Sequence, residues 1–179
     1  MSIPPGTHTF GPSTGTLAVR TGRTGAVAKA GHDLLLHVTD WQGTLEVADD
    51  STPSALALDA DGASLRVREG TGGMQALDDD DRANIEQTID EEVLKRARIE
   101  YRSSSIRPLD DGRLAADGEL ALGGDKHPLA VELRLGDDAV SGSAVIKQSD
   151  WGIKPYSTLF GALKVADEVR VEFEGRLAR

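Results

Sequence analysis

The chain has 179 residues, enough for one domain with a substantial core and marginal for two. Its 20 Lys and Arg stand against 30 Asp and Glu, a net charge of -10 that argues against nucleic acid or an anionic membrane surface as partner. There is no cysteine, so disulfides, thiolate nucleophiles and Cys-ligated metals are excluded. The start, Met1-Ser2-Ile3-Pro4-Pro5-Gly6, lacks the basic and apolar regions of a secretory signal. No apolar run approaches a membrane span. A soluble, cytoplasmic protein without membrane insertion is the expectation.

Taken in order, the first half alternates with period two. Thr14 to Thr21 reads as a strand with Leu17 and Val19 on one face. Gly11-Pro12-Ser13-Thr14-Gly15 matches the spacing of a nucleophile elbow. An elbow needs a strand before the serine and a helix after it, whereas Pro12 precedes and a strand pattern follows, so a β-turn is expected. Gly22 to Gly25 is a turn, and Ala26 to Ala30 a weak strand of small residues. His32 to Thr39, Gly43 to Ala48, Ser54 to Ala60 and Ser64 to Arg68 continue the series, with Asp61-Gly62 as a hairpin signal.

From Leu77 to Arg98 the period changes. Ile85, Ile89, Val93, Leu94 and Ala97 fall on one helical face, which predicts an amphipathic helix over roughly 79 to 96. Asp78 to Asp81 supply an N-cap oxygen and negative charge at its start, and Lys95 and Arg96 supply positive charge at its end. Glu91 with Lys95, and Glu92 with Arg96, have the spacing of i,i+4 pairs. The apolar face must rest on an open end or face of the sheet.

After the helix, alternation resumes around Ile99 and Tyr101, Arg113 to Leu122, Leu129 to Leu135, Val140 to Lys147 and Val169 to Phe173. About ten strands bounded by turn residues favour a barrel or sandwich, here a single domain over 1–179. Between Gln148 and Ala166 the pattern breaks. That segment holds Trp151, Tyr156 and Phe160, three of the chain's seven aromatic residues, and reads as a cork for the core or a lid over it.

Candidate chemistry is sparse. His32 shares its strand face with Leu34, Leu36 and Val38, so it is the histidine expected to point inward, either as a hydrogen-bonded core residue or against a ligand. His32 and His37 are five apart and face opposite sides of a regular strand, so they do not share an ion, and no metal site is expected. Asp59-Ala60-Asp61-Gly62 opens like a calcium loop, but its glycine comes too early and no Glu closes the frame. Alanine and glycine are frequent on the strands and large aromatics are few. With small residues facing inward, a barrel is under-filled and keeps an apolar cavity. Leu34, Leu36, Leu120, Leu122, Val131 and Leu133 are then expected to line it, with His32, Trp151, Tyr156 and Phe160 near its mouth. The reading is a binder of a hydrophobic chain without catalysis or cofactor. Two alternatives stay open: an interaction module with a packed barrel, and an enzyme using His32 as general base with Tyr156 or Asp150 assisting.

Four segments together resemble the YceI-like family of lipocalin-like barrels. They are Asp59 to Val67; the helix with its following strand, closing on Ile99-Glu100-Tyr101-Arg102-Ser103; the hairpin from Asp117 to Leu129; and Lys147-Gln148-Ser149-Asp150-Trp151-Gly152-Ile153. Tyr101 stands where the family pattern has Phe. The resemblance implies an all-β, antiparallel lipocalin-like barrel with one helix inserted mid-chain. It also implies an isoprenoid or other apolar small molecule as ligand, a homodimer, and no catalysis.

Overall fold

The computed structural model describes residues 3–26, 28–73, 75–158 and 163–177. Eleven antiparallel strands form one sheet that curls into a half-barrel. In chain order its first members are β1 (Gly6–Phe10), β2 (Gly15–Arg20), β4 (His32–Val38), β5 (Trp41–Val47), β6 (Pro53–Asp61) and β7 (Leu65–Gly72). After the helix come β8 (Arg98–Pro108), β9 (Leu114–Leu122), β10 (Asp125–Leu135), β11 (Ala139–Lys147) and β14 (Glu168–Arg176). The spatial order is β1-β5-β6-β8-β9-β10-β11-β14-β2-β4-β7. A second sheet of three short strands joins β3 (Arg23–Thr24), β12 (Ser157–Thr158) and β13 (Leu163–Val165).

The curl comes from one bent hairpin. β4 pairs with β2 and β7 on one wing, while β5, its direct continuation, pairs with β1 and β6 on the other. The ladder crosses the corner through Thr39 N–H to the Ser64 carbonyl at 3.0 Å and Asp61 N–H to the Asp40 carbonyl at 3.0 Å. Asp61-Gly62 is therefore not a tight hairpin turn. Gly62–Ser64 form a 3-10 turn, capped by Asp61 Oδ1 accepting from Ala63 N–H at 2.9 Å. Only a glycine fits at Gly62, because a Cβ there would meet the Ala97 carbonyl at 2.4 Å.

Alternation places the core where the sequence pattern puts it. Leu36, Leu45, Leu133 and Val140 are fully buried on inner faces, while Arg20, Arg102, Arg107 and Arg170 form cross-strand or neighbouring ion pairs on outer ones. The elbow-like stretch is the expected turn, closed by Thr14 N–H to the Gly11 carbonyl at 3.0 Å. Around Ala28–Ala30 the chain makes a 3-10 turn in place of the expected weak strand. Small residues there give neither an apolar face nor β-branched bulk to hold a ladder.

The helix, α1 (Asp79–Thr88), begins where the acid run predicts. Asp78 is its N-cap, and Asp78 and Asp81 form a reciprocal capping box. It ends earlier than the periodicity suggests. Ile89–Val93 continue as a π-helical turn, with Leu94 N–H bonded to the Ile89 carbonyl at 2.8 Å. Lys95 and Arg96 then take left-handed conformations that turn the chain into β8. Arg96 consequently pairs with Asp90 at 3.5 Å and not with Glu92. No described helix is long and apolar enough to cross a membrane.

Candidate functional site

The concave face of the sheet does not close on itself. Between it and the helix lies a cavity of about 490 Å³. Inward positions of successive strands form its wall: Leu17 and Val19 from β2, Leu34 and Leu36 from β4, Leu56 and Leu58 from β6. The wall continues with Ile99 from β8, Leu120 and Leu122 from β9, Leu129 and Val131 from β10, and Ile146 from β11. Leu77, Ile85, Ile89, Val93 and Leu94 roof it, which is the apolar face that the helix has to bury. Phe10 and Trp41, both buried, border it as well.

The volume exists because several inward positions are small. Gly43, Ala60, Gly142 and Ala144 line the cavity from inward positions; at Gly142 the Phe173 ring takes the space that a side chain would need, and at the others the small side chain leaves room. Tight packing is the norm in protein interiors, so an apolar space of this size is unusual unless something fills it.

Polar groups are few and placed with care. The Tyr101 hydroxyl is turned into the wall, its proton shared between the carbonyls of Ala116 at 2.9 Å and Leu129 at 3.1 Å. Burial pushes its pKa up to about 12, with the nearby Asp117 carboxylate adding to the effect. Gln148 is buried and donates from Nε2 to the Ala166 carbonyl at 3.1 Å. Asp81, Asn84 and Tyr156 line the cavity while remaining exposed, so they mark its mouth.

Among the site residues expected from sequence, Leu34, Leu36, Leu120, Leu122, Val131 and Tyr156 are brought together in the lining. Leu133 is fully buried but stands behind the lining, within the packed core. Trp151 is also outside it. Its Nε1 donates to the Leu120 carbonyl at 2.8 Å and its ring meets His127 edge-on at 5.6 Å, so it corks the sheet. His32 lies beyond the lining too, its Nε2 2.6 Å from the Gln75 carbonyl. That bond engages one ring nitrogen, and neither Tyr156 nor Asp150 is among the hydrogen-bond partners of His32 in the described residues. Phe160 lies outside the described residues. Among the described residues, no three His, Asp or Glu side chains converge on a metal position.

Sequence reading missed the contributions of Phe10, Trp41 and Leu77, and anticipated inward glycines and alanines as a group without naming the positions. Leu77 precedes the periodic stretch, and Phe10 ends a strand with no other large apolar residue, so neither carries a periodic signal.

A curled antiparallel sheet around an apolar internal cavity defines a half-barrel of the lipocalin-like kind. A family model, the YceI-like domain, matches residues 13–177, and the chain belongs to that family. Among solved structures it is similar to BcnA of Burkholderia cenocepacia, with a TM-score of 0.64 and 14% identity over 95% of this chain and 99% of that one. It is also similar to the YCEI protein of Campylobacter jejuni, with a TM-score of 0.58 and 11% identity over 80% of this chain and 85% of that one. At these identities the likeness is one of fold. No curated protein sequence matches the chain.

Proposed function

We propose that this protein binds or carries a long apolar or amphiphilic small molecule, isoprenoid- or lipid-like, within its half-barrel, and does so without catalysis. The observation that carries the reading is the 490 Å³ cavity under α1, walled by Leu, Ile and Val from the strands and roofed by the helix. Small-molecule sites fall at about 300–1,000 Å³ and are mostly apolar with a few placed polar groups. Membership of the YceI-like family supports an apolar ligand at the same level. Leu34, Leu36, Leu120, Leu122, Val131 and Tyr156 would contact the molecule directly. Leu133, Trp151 and His32 would act behind that layer, holding the wall in place. A homodimer, implied by the family resemblance, is part of the same proposal.

The cavity favours this reading over a packed interaction module, and the bond of His32 Nε2 to the Gln75 carbonyl gives the enzyme alternative no positive support. Trp41 borders the cavity and serves as an internal reporter. Titration of the full chain with a long-chain alcohol is expected to shift Trp41 emission saturably, at one equivalent. A titration with no saturable change in a Trp151→Phe background, where Trp41 is the sole indole, overturns the reading.

A further inference from the structure

Among the described residues that line the cavity there is no lysine, arginine or histidine. The four residues between Thr158 and Leu163, Leu159-Phe160-Gly161-Ala162, include none by sequence. Arg20, Arg102, Arg107 and Arg170 are paired on the outer faces of the sheet, and Arg82, next to Asp81 on α1, is half-buried with an unpartnered Nε but is not among the lining residues. At the mouth, the ionised group is the Asp81 carboxylate, beside the neutral Asn84 and Tyr156. Asp81 Oδ2 accepts from Asp78 N–H at 3.1 Å, and the carboxylate makes no ion pair among the described residues. Deeper in, the Gln148 amide nitrogen faces the Ala166 carbonyl, which only accepts, so Oε1 is left as that side chain's acceptor.

Asp81 carries the negative charge and Gln148 Oε1 accepts, while Asn84 and Tyr156 are neutral and both donate and accept. A carboxylate or phosphate drawn to this mouth would lose water, meet no cation among the described lining residues and face Asp81. A hydroxyl loses less solvation and finds acceptors. An ammonium finds both an acceptor and an opposite charge. We propose that the cavity selects amphiphiles whose polar end carries no negative charge, a long-chain alcohol or amine, and rejects carboxylates and phosphates of the same chain length. The proposal rests on the ligand-carrying reading above and names the head-group class for it.

The test is calorimetric titration of the full chain at neutral pH and low salt with decanol, decylamine, decanoate and decyl phosphate, each below its aggregation limit. Decanol and decylamine are expected to bind, and the two anions to bind at least about tenfold more weakly. Asp81→Asn, which keeps a side-chain acceptor for the capping box, is expected to bring decylamine down to the affinity of decanol and leave decanol unchanged. Ala144→Phe, which fills the cavity, is expected to abolish the binding of both and so separates cavity binding from attraction to an acidic surface. Decanoate or decyl phosphate binding as tightly as decanol would overturn the selectivity and leave the carrier reading standing. Decylamine retaining its advantage in Asp81→Asn would overturn the role of that carboxylate. Failure of all four to bind would overturn the carrier reading itself, and the selectivity with it.

Discussion

Glu86 on α1 accepts a hydrogen bond from the backbone N–H of Val67 on β7, at 2.9 Å. β7 is an end strand of the sheet, and its outer edge has unpaired backbone donors that need partners. The helix supplies one through Glu86, while Ile85 and Ile89, on the same helix, roof the cavity. One element thus covers the sheet edge and closes the apolar space.

Glu86→Ala is expected to cost about 1–3 kcal/mol, the range for leaving a buried N–H without its partner. Glu86→Gln keeps an acceptor and should retain most of that stability. Denaturant unfolding compares the two. Equal loss in both variants would mean that charge, and not the hydrogen bond to Val67, is what matters.

Asp78 caps the helix through Oδ1 accepting from Asp81 N–H at 2.8 Å. Replacing it with Ala is expected to destabilise the first turn by about 0.5–2 kcal/mol. Hydrogen exchange should report the effect as faster exchange within Asp79–Thr88, with the β9–β10 ladder unchanged.

Tyr101 predicts a pH dependence. Its folded-state pKa is about 12, raised by burial above the ordinary value of 10.0 that the unfolded chain takes. Folding therefore favours the neutral phenol. The contribution is fully present below about pH 10 and is lost as the pH rises toward about 12. In a Tyr156→Phe background, phenolate absorbance should appear only near that upper value, and Tyr101→Phe should remove this part of the alkaline loss of stability. Titration of the remaining phenol at its ordinary pKa would contradict the placement of its hydroxyl in the wall.

Ala144 on β11 lines the cavity and pairs across the ladder with Val171. Ala144→Phe is expected to reduce uptake of an apolar fluorescent probe by about tenfold or more, since the added ring occupies the space that the probe needs. Far-ultraviolet circular dichroism should be unchanged, and stability should hold or rise as the void is filled. Undiminished uptake would place the probe elsewhere on the protein.

Much of the fold was legible because period-two alternation and one change of period are strong signals. β10 shows both the reach and the limit of that signal. Leu129, Val131 and Leu133 alternate perfectly and all face inward, yet Leu129 and Val131 reach the cavity while Leu133 does not. Alternation assigns a face, but depth along a curled sheet depends on how the strands splay, which no local pattern records. β1 went unread because Gly6-Thr7-His8-Thr9-Phe10 has a single large apolar residue, and its pairing with β5 is what secures it. The Asp61-Gly62 signal marked a corner and not the hairpin reversal it suggested, since β6 runs on into β7 along the same antiparallel partner arm. Its outcome as a corner depended on the remote contact between Gly62 N–H and the Ala97 carbonyl, at 3.0 Å. His32 was read inward from the parity of Leu34 and Leu36. At the strand end, the carbonyl of Gln75 was a better partner than the cavity.

The most direct measurement of the central claim is native mass spectrometry of the protein purified from its own host, followed by organic extraction. The account predicts a stoichiometric, non-covalent adduct that extraction releases as a long apolar molecule with no carboxylate or phosphate. A clean apo mass, with no uptake of added decanol or isoprenoid alcohol, would contradict it.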